Sequence, residues 1–560
     1  MLLVSVVVAS LIAFWVVKRA VVYTRATQRI TLPGYRNLGP VRSSLYGFVH
    51  DKLQQNVEDA YLFTKKYRDY KHFGWDVISS IYWFNSKPKF FIADPSVIQR
   101  IGASRALFPK PMASYDVFEM FGRSVVTAEG PDWARHRKIT SRAFSEPNMH
   151  LVWKETTRIV KDMFNSDWSR QGDTVVLDDV MHTTIQLSML TIMAAGFGQE
   201  DSWIPDKKPP PGHTLTFRQA LRDVVDNIIL RVIWPQWVWG SQSSRNSLAI
   251  AGIAGRGWLG KRVQHISVAY SELATYMREM LQVELAGDQN KTSAALFSNL
   301  VAAVGTEIKG AGLGKNDVLG NMFMFLMAGF ETTAHALAYV FGLLAIGEEE
   351  QQRLYEHIEE VLQDREPSFE DIAKLTRVLA VFLEALRLYP AAPSLPKYAV
   401  EDTVFSVRAA LSEEEEATMS LKDINDDDRR TDIFIPKGSQ VFFDVSAVHH
   451  NPRYWQDPYA FKPERFLDPN WPRDAFVTFS AGSRACMGRR FAEVEAITII
   501  TLIIRRYKVS VDPVRCPDVP GETELQRRDR VLETHLNLTL TPVSLPLVFT
   551  KRRKESHNAE

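Results

Sequence analysis

Cysteine is scarce in this chain, whose 560 residues include only Cys486 and Cys516. Two thiols cannot build a disulfide scaffold or a metal site with four cysteine ligands, although each is able to react or bind a metal. Net charge is also nearly absent, since 67 basic residues and 66 acidic residues leave +1. That balance argues against a protein that binds nucleic acid through bulk electrostatics. The composition, 45% hydrophobic and 24% charged, excludes global disorder.

The body of the chain lacks both a linker and a repeat. Length alone suggests about three or four domains of ~150 residues, yet no polar or flexible stretch marks a boundary between 45 and 549. Helical periodicity dominates, so we predict one large, mainly α domain with small β-sheets (α+β). The predicted elements include helices over Arg218–Ile233, Ala269–Leu285, Val318–Ile346, Glu348–Gln363 and Ile372–Tyr389, and strands at Phe90–Ile92 and Ile433–Pro436.

Charge is missing from residues 2–17, which as a helix at ~1.5 Å per residue measure about 24 Å. Snorkelling of the following Lys18 and Arg19 extends the span to about 33 Å, enough for a ~30 Å hydrocarbon core. A cleaved signal peptide would carry its basic residues before the apolar run. Here they follow it, so we predict a transmembrane signal anchor over 1–23 with the bulk of the protein in the cytosol. A turn-rich linker follows over 24–44.

Three other segments stand apart from the helical body. Residues 411–432 are strongly acidic. This charge indicates either a solvated, poorly ordered surface insertion or an electrostatic docking element. Trp234, Trp237 and Trp239 are either core residues or a second membrane contact, because tryptophan favours the membrane interface. Residues 550–560 are a polar C-terminal tail.

The strongest chemical signal surrounds Cys486. A lone cysteine is most often a small buried hydrophobe, but Gly482 and Gly488 allow tight turns and close approach of the backbone to a flat ligand. Arg484 is able to donate two hydrogen bonds to a carboxylate, and Phe479 is able to pack beneath the sulfur and exclude water. A sequence compatible with a helix begins directly after Gly488. The N-terminus of a helix favours the thiolate form of a nearby cysteine, and a thiolate is the kind of anionic ligand that haem iron takes.

This segment, Phe479–Gly488, matches the haem-binding signature of the cytochrome P450 family, Phe-x-x-Gly-x-Arg-x-Cys-x-Gly, at every fixed position. The chain resembles the fungal, membrane-anchored members, and the resemblance extends from about residue 45 to about residue 549. It implies the cytochrome P450 fold and a haem b whose iron takes Cys486 as its axial ligand. It also implies that the five fixed residues of the signature bind the haem, namely Phe479, Gly482, Arg484, Cys486 and Gly488.

Trp133 and Arg137 resemble the family's Trp-x-x-x-Arg element. Positions four apart share a helix face, and the resemblance implies that both residues hydrogen-bond the haem propionates. Taken alone, the pair would fit an amphipathic surface helix equally well.

Residues 328–333 resemble the oxygen-activation motif on the family's long central helix. A glycine inside a helix costs up to ~1 kcal/mol, and Ala328 with Gly329 would let the haem and its oxygen approach. The resemblance implies that Thr332 hydrogen-bonds dioxygen and that Glu331 relays protons. We interpret His335, one turn later, as a packed core histidine.

Glu384 and Arg387 match the family's Glu-x-x-Arg and, three apart on a helix, are able to pair. With Arg465 they resemble its buried charged triad, for which a role in fixing geometry is better supported than added stability. We therefore assign these three a structural role. The chain departs from the family after Pro390, where Lys397 stands in for an arginine that often reaches a propionate, and lysine keeps the charge but not the fork.

The resemblance implies a haem-thiolate monooxygenase that inserts one oxygen atom from O₂ into a lipophilic substrate, with a terpenoid or another fungal secondary metabolite preferred. A xenobiotic, fatty-acid or sterol hydroxylase is the alternative within the family. An enzyme that rearranges peroxides would tend to lose the pair Glu331–Thr332. A catalytically silent haem-binding membrane protein would not need that pair.

Nothing in the sequence resembles a flavin or nicotinamide domain. Electrons are therefore expected from NADPH through a separate NADPH–cytochrome P450 reductase, with cytochrome b5 as a second candidate partner, on the endoplasmic reticulum membrane. No nucleic acid is expected as a partner. Five residues are either a basic docking face for the reductase or ordinary solvated charge: Arg135, His136, Lys138, Arg489 and Arg490.

Overall fold

The structure is a computed structural model that describes residues 2–37, 61–84, 86–205, 208–228, 258–286, 295–304, 312–411, 415 and 429–553. Two compact units form, each from segments that are distant in the sequence. The first unit consists of Met1–Pro111 and Glu384–Cys486, and the second of Met112–Leu383 and Met487–Glu560. Because each unit interleaves with the other along the chain, no linker in the sequence marks the division.

The first unit is built on a five-stranded mixed sheet in the order β1-β2-β3-β8-β5. Its strands are β1 (Gly34–Asn37), β2 (Val77–Tyr82), β3 (Lys89–Ile92), β5 (Ser394–Tyr398) and β8 (Gln440–Asp444). The β1–β2 and β3–β8 pairs are parallel, and the β2–β3 and β5–β8 pairs are antiparallel. Aromatic residues hold the register, since Phe91 pairs with Phe442 and their rings stack at 5.1 Å.

Short helices and a second ladder complete the first unit. The helices are α2 (Arg68–Phe73), α3 (Pro95–Ala103) and α13 (Val445–His449), and the ladder is the antiparallel pair β6 (Thr403–Arg408) and β7 (Arg430–Ile435). Asp94 caps α3 by accepting a 2.8 Å hydrogen bond from the Ser96 amide, and Pro95 occupies the first helical position. These signals fix the start of α3. The other end of the helix, at Gly102, lies beside the Cys486 loop described below.

The first unit also carries the N-terminal helix α1 (Leu2–Arg29). Its stretch Val4–Arg29 contains an apolar 18-residue window that is not buried in the structure, so the helix is long and apolar enough to cross a membrane. Trp15 on this helix packs edge-on against Trp83, with ring centroids 5.5 Å apart. The helix runs past the predicted anchor end at residue 23, and β1 lies within the segment predicted as a linker.

The second unit is mainly helical. Its helices are α4 (Gly130–Thr140), α5 (Glu146–Ser166), α6 (Val180–Thr191), α7 (Phe217–Asp226), α8 (Trp258–Leu285), α9 (Ala295–Ala302), α10 (Lys315–Ile346), α11 (Glu348–Leu362), α14 (Arg489–Arg506) and α15 (Glu524–Val531). The helix α12 (Thr376–Leu388) crosses from the second unit into the first at Glu384. Helix α10 is apolar on all sides and largely buried, which identifies it as a core helix. It packs against α6, and α14 packs against α5.

Two small sheets end the second unit. The first is antiparallel and places β12 (Leu547–Lys551) between β4 (Thr174–Leu177) and β9 (Tyr507–Val511). The second is the hairpin β10 (Thr534–Leu536) and β11 (Leu540–Pro542). Strand β12 includes residues 550 and 551, which sequence analysis placed in the polar tail.

The mainly α prediction with small sheets is confirmed, and the helix ends show where periodicity is informative. Helices α10 and α11 end within one residue of their predicted ends, and β3 contains the predicted strand Phe90–Ile92. Helix α8 starts at Trp258 instead of Ala269. The predicted helix Ile372–Tyr389 is split, because a 3₁₀ turn at Phe369–Ala373 precedes α12.

Several predictions fall wholly or partly outside the described residues. Those on Trp234, Trp237 and Trp239 do so entirely. Within the acidic segment 411–432 the structure describes residue 411, Glu415 and residues 429–432, and residues 430–432 belong to β7. The acidic segment therefore connects the paired strands β6 and β7. Additional residues in a connection between paired strands add little to the entropic cost of closing it.

Candidate active site

The loop that carries Cys486 is closed by its own backbone. The Cys486 amide donates to the Phe479 carbonyl at 2.8 Å, and a short 3₁₀ turn covers Gly482–Arg484. The loop ends the first unit, and the Cys486 side chain is an exposed thiol that forms no disulfide. Gly488 follows in the second unit, where it directly precedes α14.

Gly482 allows this loop to lie backbone against backbone on the end of α3. Its φ of 70° is in the left-handed region, and a Cβ at this position would overlap the carbonyl group of Gly102. Gly102 in turn lies close to the loop, because a Cβ added to it would lie 3.1 Å from the Ala481 carbonyl oxygen. Only glycine satisfies both conditions at residue 482.

Glu384 and Arg387 form a fully buried bidentate ion pair on α12, with N–O distances of 2.6 and 2.8 Å. Arg465 Nε lies 3.4 Å from the same carboxylate. Arg387 also donates to three backbone carbonyls, those of His449 and Pro458 at 2.7 Å and that of Ala460 at 3.1 Å. The three residues predicted as a structural network are thus brought together.

His449 extends this network and was missed by sequence reasoning. Its Nδ1 lies 3.0 Å from the Arg387 carbonyl oxygen, and its Nε2 lies 3.0 Å from the Val477 amide. Burial and the Arg387 charge lower the pKa of His449 to about 3, so the ring is neutral and donates on one side and accepts on the other. The ring therefore links Arg387 to a residue two before Phe479. No local sequence signal distinguishes such a histidine.

Helix α10 is buried along most of its length but opens at the predicted oxygen groove. Ala328 is exposed, and Gly329 and Thr332 are half-buried, while their neighbours are buried. The Thr332 hydroxyl donates to the Ala328 carbonyl at 2.9 Å. An added Cβ on Gly329 would lie 2.9 Å from Cγ1 of Ile192, so within the second unit this glycine serves the close packing of α10 on the neighbouring segment.

Glu331 turns its carboxyl group into the interior of the second unit. Oε1 accepts a 3.4 Å hydrogen bond from Thr539, and Oε2 is buried without a hydrogen-bond partner among the described residues. Burial, with a contribution from the Asp226 charge, raises the pKa of Glu331 to about 8. At pH 7 the group is therefore uncharged and holds a proton. A buried acid that keeps its proton is suited to proton delivery.

Trp133 and Arg137 lie one turn apart on α4, the tryptophan buried and the arginine half-buried. Between them, His136 is fully buried, where its Nδ1 lies 2.9 Å from the Asn321 amide nitrogen. Burial lowers the pKa of His136, so it remains neutral. The expectation that His136 belongs to a basic docking face is therefore wrong.

Three of the four other predicted docking residues pair with neighbouring carboxylates. Arg135 lies 3.2 Å from Asp132, and Arg489 lies 2.8 Å from Glu493. Arg490 lies 3.1 Å from Glu146. Lys397, the departure from the family pattern, is a buried residue of β5 whose ammonium lies 5.7 Å from the Phe443 ring centre.

The described residues fit a haem cofactor on chemical grounds. The first unit offers an exposed thiol on a loop that the backbone holds closed. The second unit offers a helix opened by small residues beside an uncharged, unpartnered carboxyl oxygen. A buried polar atom without a hydrogen-bond partner is a feature that a protein core usually avoids. The individual haem contacts of Trp133, Arg137, Phe479, Arg484 and Gly488 remain predictions.

Comparison with known proteins decides the family. The family profile described as Cytochrome P450 matches residues 78–409 and 417–532, well over half of the chain. The chain belongs to the cytochrome P450 family. Cytochrome P450 monooxygenase 124 from Postia placenta is 37% identical to this P450 over 555 residues, which cover 98% of this chain and 99% of that protein.

More distant relatives cover somewhat less of this P450. Cytochrome P450 monooxygenase ORF6 from Penicillium roqueforti is 27% identical over 463 residues, covering 75% of this chain and 73% of that protein. Cyclooctat-9-en-7-ol 5-monooxygenase from Streptomyces melanosporofaciens is 25% identical over 436 residues, covering 77% and 80%. A crystal structure of a cytochrome P450 shares the fold, with a TM-score of 0.65 at 20% identity over 93% of this chain and 99% of that chain.

Family membership confirms the class of enzyme expected from the sequence. This P450 is an oxidoreductase of the monooxygenase type, its cofactor is haem b, and its electrons come from a redox partner. The alternative of a catalytically silent haem-binding protein finds no support among these relatives, which are named as monooxygenases.

The Gly482→Ala change tests the closed loop. We expect it to lower the free energy of unfolding by about 3 kcal/mol, because left-handed strain adds to overlap with the Gly102 backbone, and to reduce haem content. Gly521→Ala is the matched control, since Gly521 has a φ of 78° and nothing within 4 Å of an added Cβ. It should cost only about 1 kcal/mol. Equal losses in urea unfolding would contradict the packing argument.

Proposed function

We propose that this P450 is a membrane-anchored fungal monooxygenase that hydroxylates a lipophilic secondary metabolite, with terpenoids as the preferred class. The observation that carries the chemistry is the exposed Cys486 thiol on its closed loop. Haem, when bound there as a thiolate complex, supplies the activation of O₂. The protein's own residues would bind the haem iron, hold the ligand loop in position and deliver protons.

Each group proposed for the reaction has a defined task. Cys486 provides the axial thiolate, and the network of Glu384, Arg387 and Arg465 fixes the segment that holds its loop. Glu331 holds a proton that the reaction consumes. The Thr332 hydroxyl, bonded to its own helix in this structure, is the group that we propose turns towards dioxygen.

The terpenoid preference is supported by one relative and by the apolar residue exposed in the middle of α10. The Streptomyces melanosporofaciens relative is named for oxidation of cyclooctat-9-en-7-ol, a largely hydrocarbon alcohol. Ala328, which is exposed in the middle of α10, is apolar. A substrate of mostly hydrocarbon surface would bury apolar area there at about 25 cal/mol per Å². Fatty-acid, sterol and xenobiotic hydroxylation are the alternatives.

We further propose that α1 anchors the enzyme in the endoplasmic reticulum membrane with its catalytic part in the cytosol. Lys18, Arg19, Arg25 and Arg29 all follow the apolar run, which by the positive-inside rule keeps that end cytosolic. NADPH–cytochrome P450 reductase, with cytochrome b5 as a second donor, would then supply electrons on the same membrane.

The Cys486→Ser variant tests the ligand assignment. Reduced wild-type enzyme with CO should show the red-shifted Soret band of thiolate-ligated haem, and Cys486→Ser should lose it. Cys516→Ser is the matched control and should keep the band, because Cys516 lies outside the signature, 2.9 Å from Arg530 Nη1. Retention of the band in Cys486→Ser would show that another residue binds the iron.

Removal of residues 1–29 tests the anchor. The truncated enzyme should leave the membrane pellet and appear in the soluble fraction with its reduced-CO spectrum intact, since α1 supplies no part of the proposed haem site. A chain that lacks only residues 554–560 serves as the control and should stay in the pellet. If the truncated chain stays there too, another segment binds the membrane.

A substrate panel tests the preferred chemistry. With NADPH and reductase, we expect hydroxylated products from cyclic terpenoid alcohols at rates at least about tenfold above those from fatty acids or sterols, as shape matching in an apolar pocket allows. Mass spectrometry with ¹⁸O₂ would show one labelled oxygen in each product. Omission of the reductase is the control. Conversion of fatty acids or sterols alone would overturn the terpenoid preference.

A further inference from the structure

The hairpin β10–β11 sends two threonines against helix α10, beside the proposed proton donor. The Thr539 hydroxyl lies between two groups of that helix, 2.6 Å from His335 Nδ1 and 3.4 Å from Glu331 Oε1. All three side chains are buried. Hence an element near the C-terminal end of the chain makes the only side-chain hydrogen bond that Glu331 has among the described residues.

The directions of these hydrogen bonds are limited by the number of protons. The Thr541 hydroxyl donates to the Thr539 carbonyl at 3.0 Å, so its proton is already used. Its oxygen also lies 3.2 Å from His335 Nδ1. Burial lowers the pKa of His335 to about 4, so the imidazole is neutral, which confirms the prediction of a buried core histidine.

Thr539 has one hydroxyl proton for two neighbours. That proton is donated to Glu331 Oε1, so the neutral His335 carries its proton on Nδ1 and donates to the Thr539 oxygen. The proton of the uncharged acid then lies on Oε2, and when Glu331 is ionised the Thr539 proton still points to Oε1. A single hydroxyl thus bonds the same carboxyl oxygen in both charge states of the acid.

We propose that Thr539 is a positioning residue that holds Glu331 Oε1 so that Oε2 is the oxygen that gives up its proton. The inference rests on the proposed function of Glu331. The Oε2 proton passes to the dioxygen that the reaction reduces, and the carboxylate left behind accepts a hydrogen bond from Thr539. Water then returns a proton to Oε2. The hydroxyl proton stays on Thr539 and points to Oε1 throughout.

The electrostatic surroundings agree with this arrangement. Burial raises the pKa of Glu331 to about 8 with help from Asp226, while the hydrogen bond from Thr539 acts in the opposite direction. The charged or titratable groups that act on His335 are Arg222 and His535. Thr539 thus stabilises the charged state that Glu331 must enter briefly, in a place where burial otherwise opposes it.

The test compares Thr539→Val, which keeps the shape but removes the hydroxyl, with Thr539→Ser, which restores it. Infrared spectra of the holoenzyme should show the C=O stretching band of an uncharged carboxylic acid, and loss of this band in Glu331→Gln assigns it. In Thr539→Val the band should disappear at a pH about one unit higher than in the wild type. Thr539→Ser should return it to the wild-type pH.

A second measurement follows the reaction. Product formed per NADPH consumed should fall several-fold in Thr539→Val and recover in Thr539→Ser, because proton delivery is slowed and not abolished. Thr498→Val is the matched control, since it removes a buried hydroxyl that donates to its own helix at 2.7 Å. It should change neither the titration nor the yield. Thr539→Ala replaces Thr539→Val if the latter does not bind haem.

An unchanged titration in Thr539→Val, or a Thr539→Ser enzyme that behaves like Thr539→Val, would overturn the proposal and leave Thr539 as a packing residue. Failure of the proposed function is recognised separately. A wild-type enzyme without the thiolate band, or a Glu331→Gln enzyme with normal product yield, would contradict the proposed function. The infrared titration of Glu331 is measurable in both cases and still tests Thr539.

Discussion

The Glu384 carboxylate and the Arg387 guanidinium meet where no water reaches either of them, and each must find its hydrogen bonds within the protein. Arg387 finds three of them on backbone carbonyls, including that of His449. His449 in turn accepts from the Val477 amide just before the Cys486 loop. Loss of either charge would leave the other buried and uncompensated, at about 3–5 kcal/mol. The conformation of the ligand loop therefore depends on this pair.

Two buried glutamates illustrate how surroundings decide what one residue type does. Glu384 has a guanidinium fork and is an ion that organises backbone. The Glu331 side chain has one long hydrogen bond and no cation beside it in the part of the chain that the structure describes, so burial keeps it uncharged at neutral pH. The first suits a permanent structural role, and the second suits a role that needs a proton to leave and return. Their difference lies in the cation within reach, which Arg387 supplies to Glu384 from one turn away on the same helix.

Features with short sequence spacing were predictable from the chain alone. The Cys486 loop, the Glu384–Arg387 pair and the helices α10 and α11 all follow from residues within one or two turns of each other. The burial of His136 and the contacts of His449 and Thr539 were not predictable, because each depends on a partner brought by a distant segment. The division into two units leaves no mark in the sequence, since interleaved segments leave no linker.

The interleaved segments also determine when the strands of the first unit are able to pair during synthesis. Strand β3 lies near the N-terminus, but its parallel partner β8 is several hundred residues later. At about 5–20 residues per second, tens of seconds of synthesis separate the two strands. During that interval one edge of β3 has no native partner, which is a state prone to wrong pairing. The first unit therefore completes its sheet only late in translation, well after its first strands have been made.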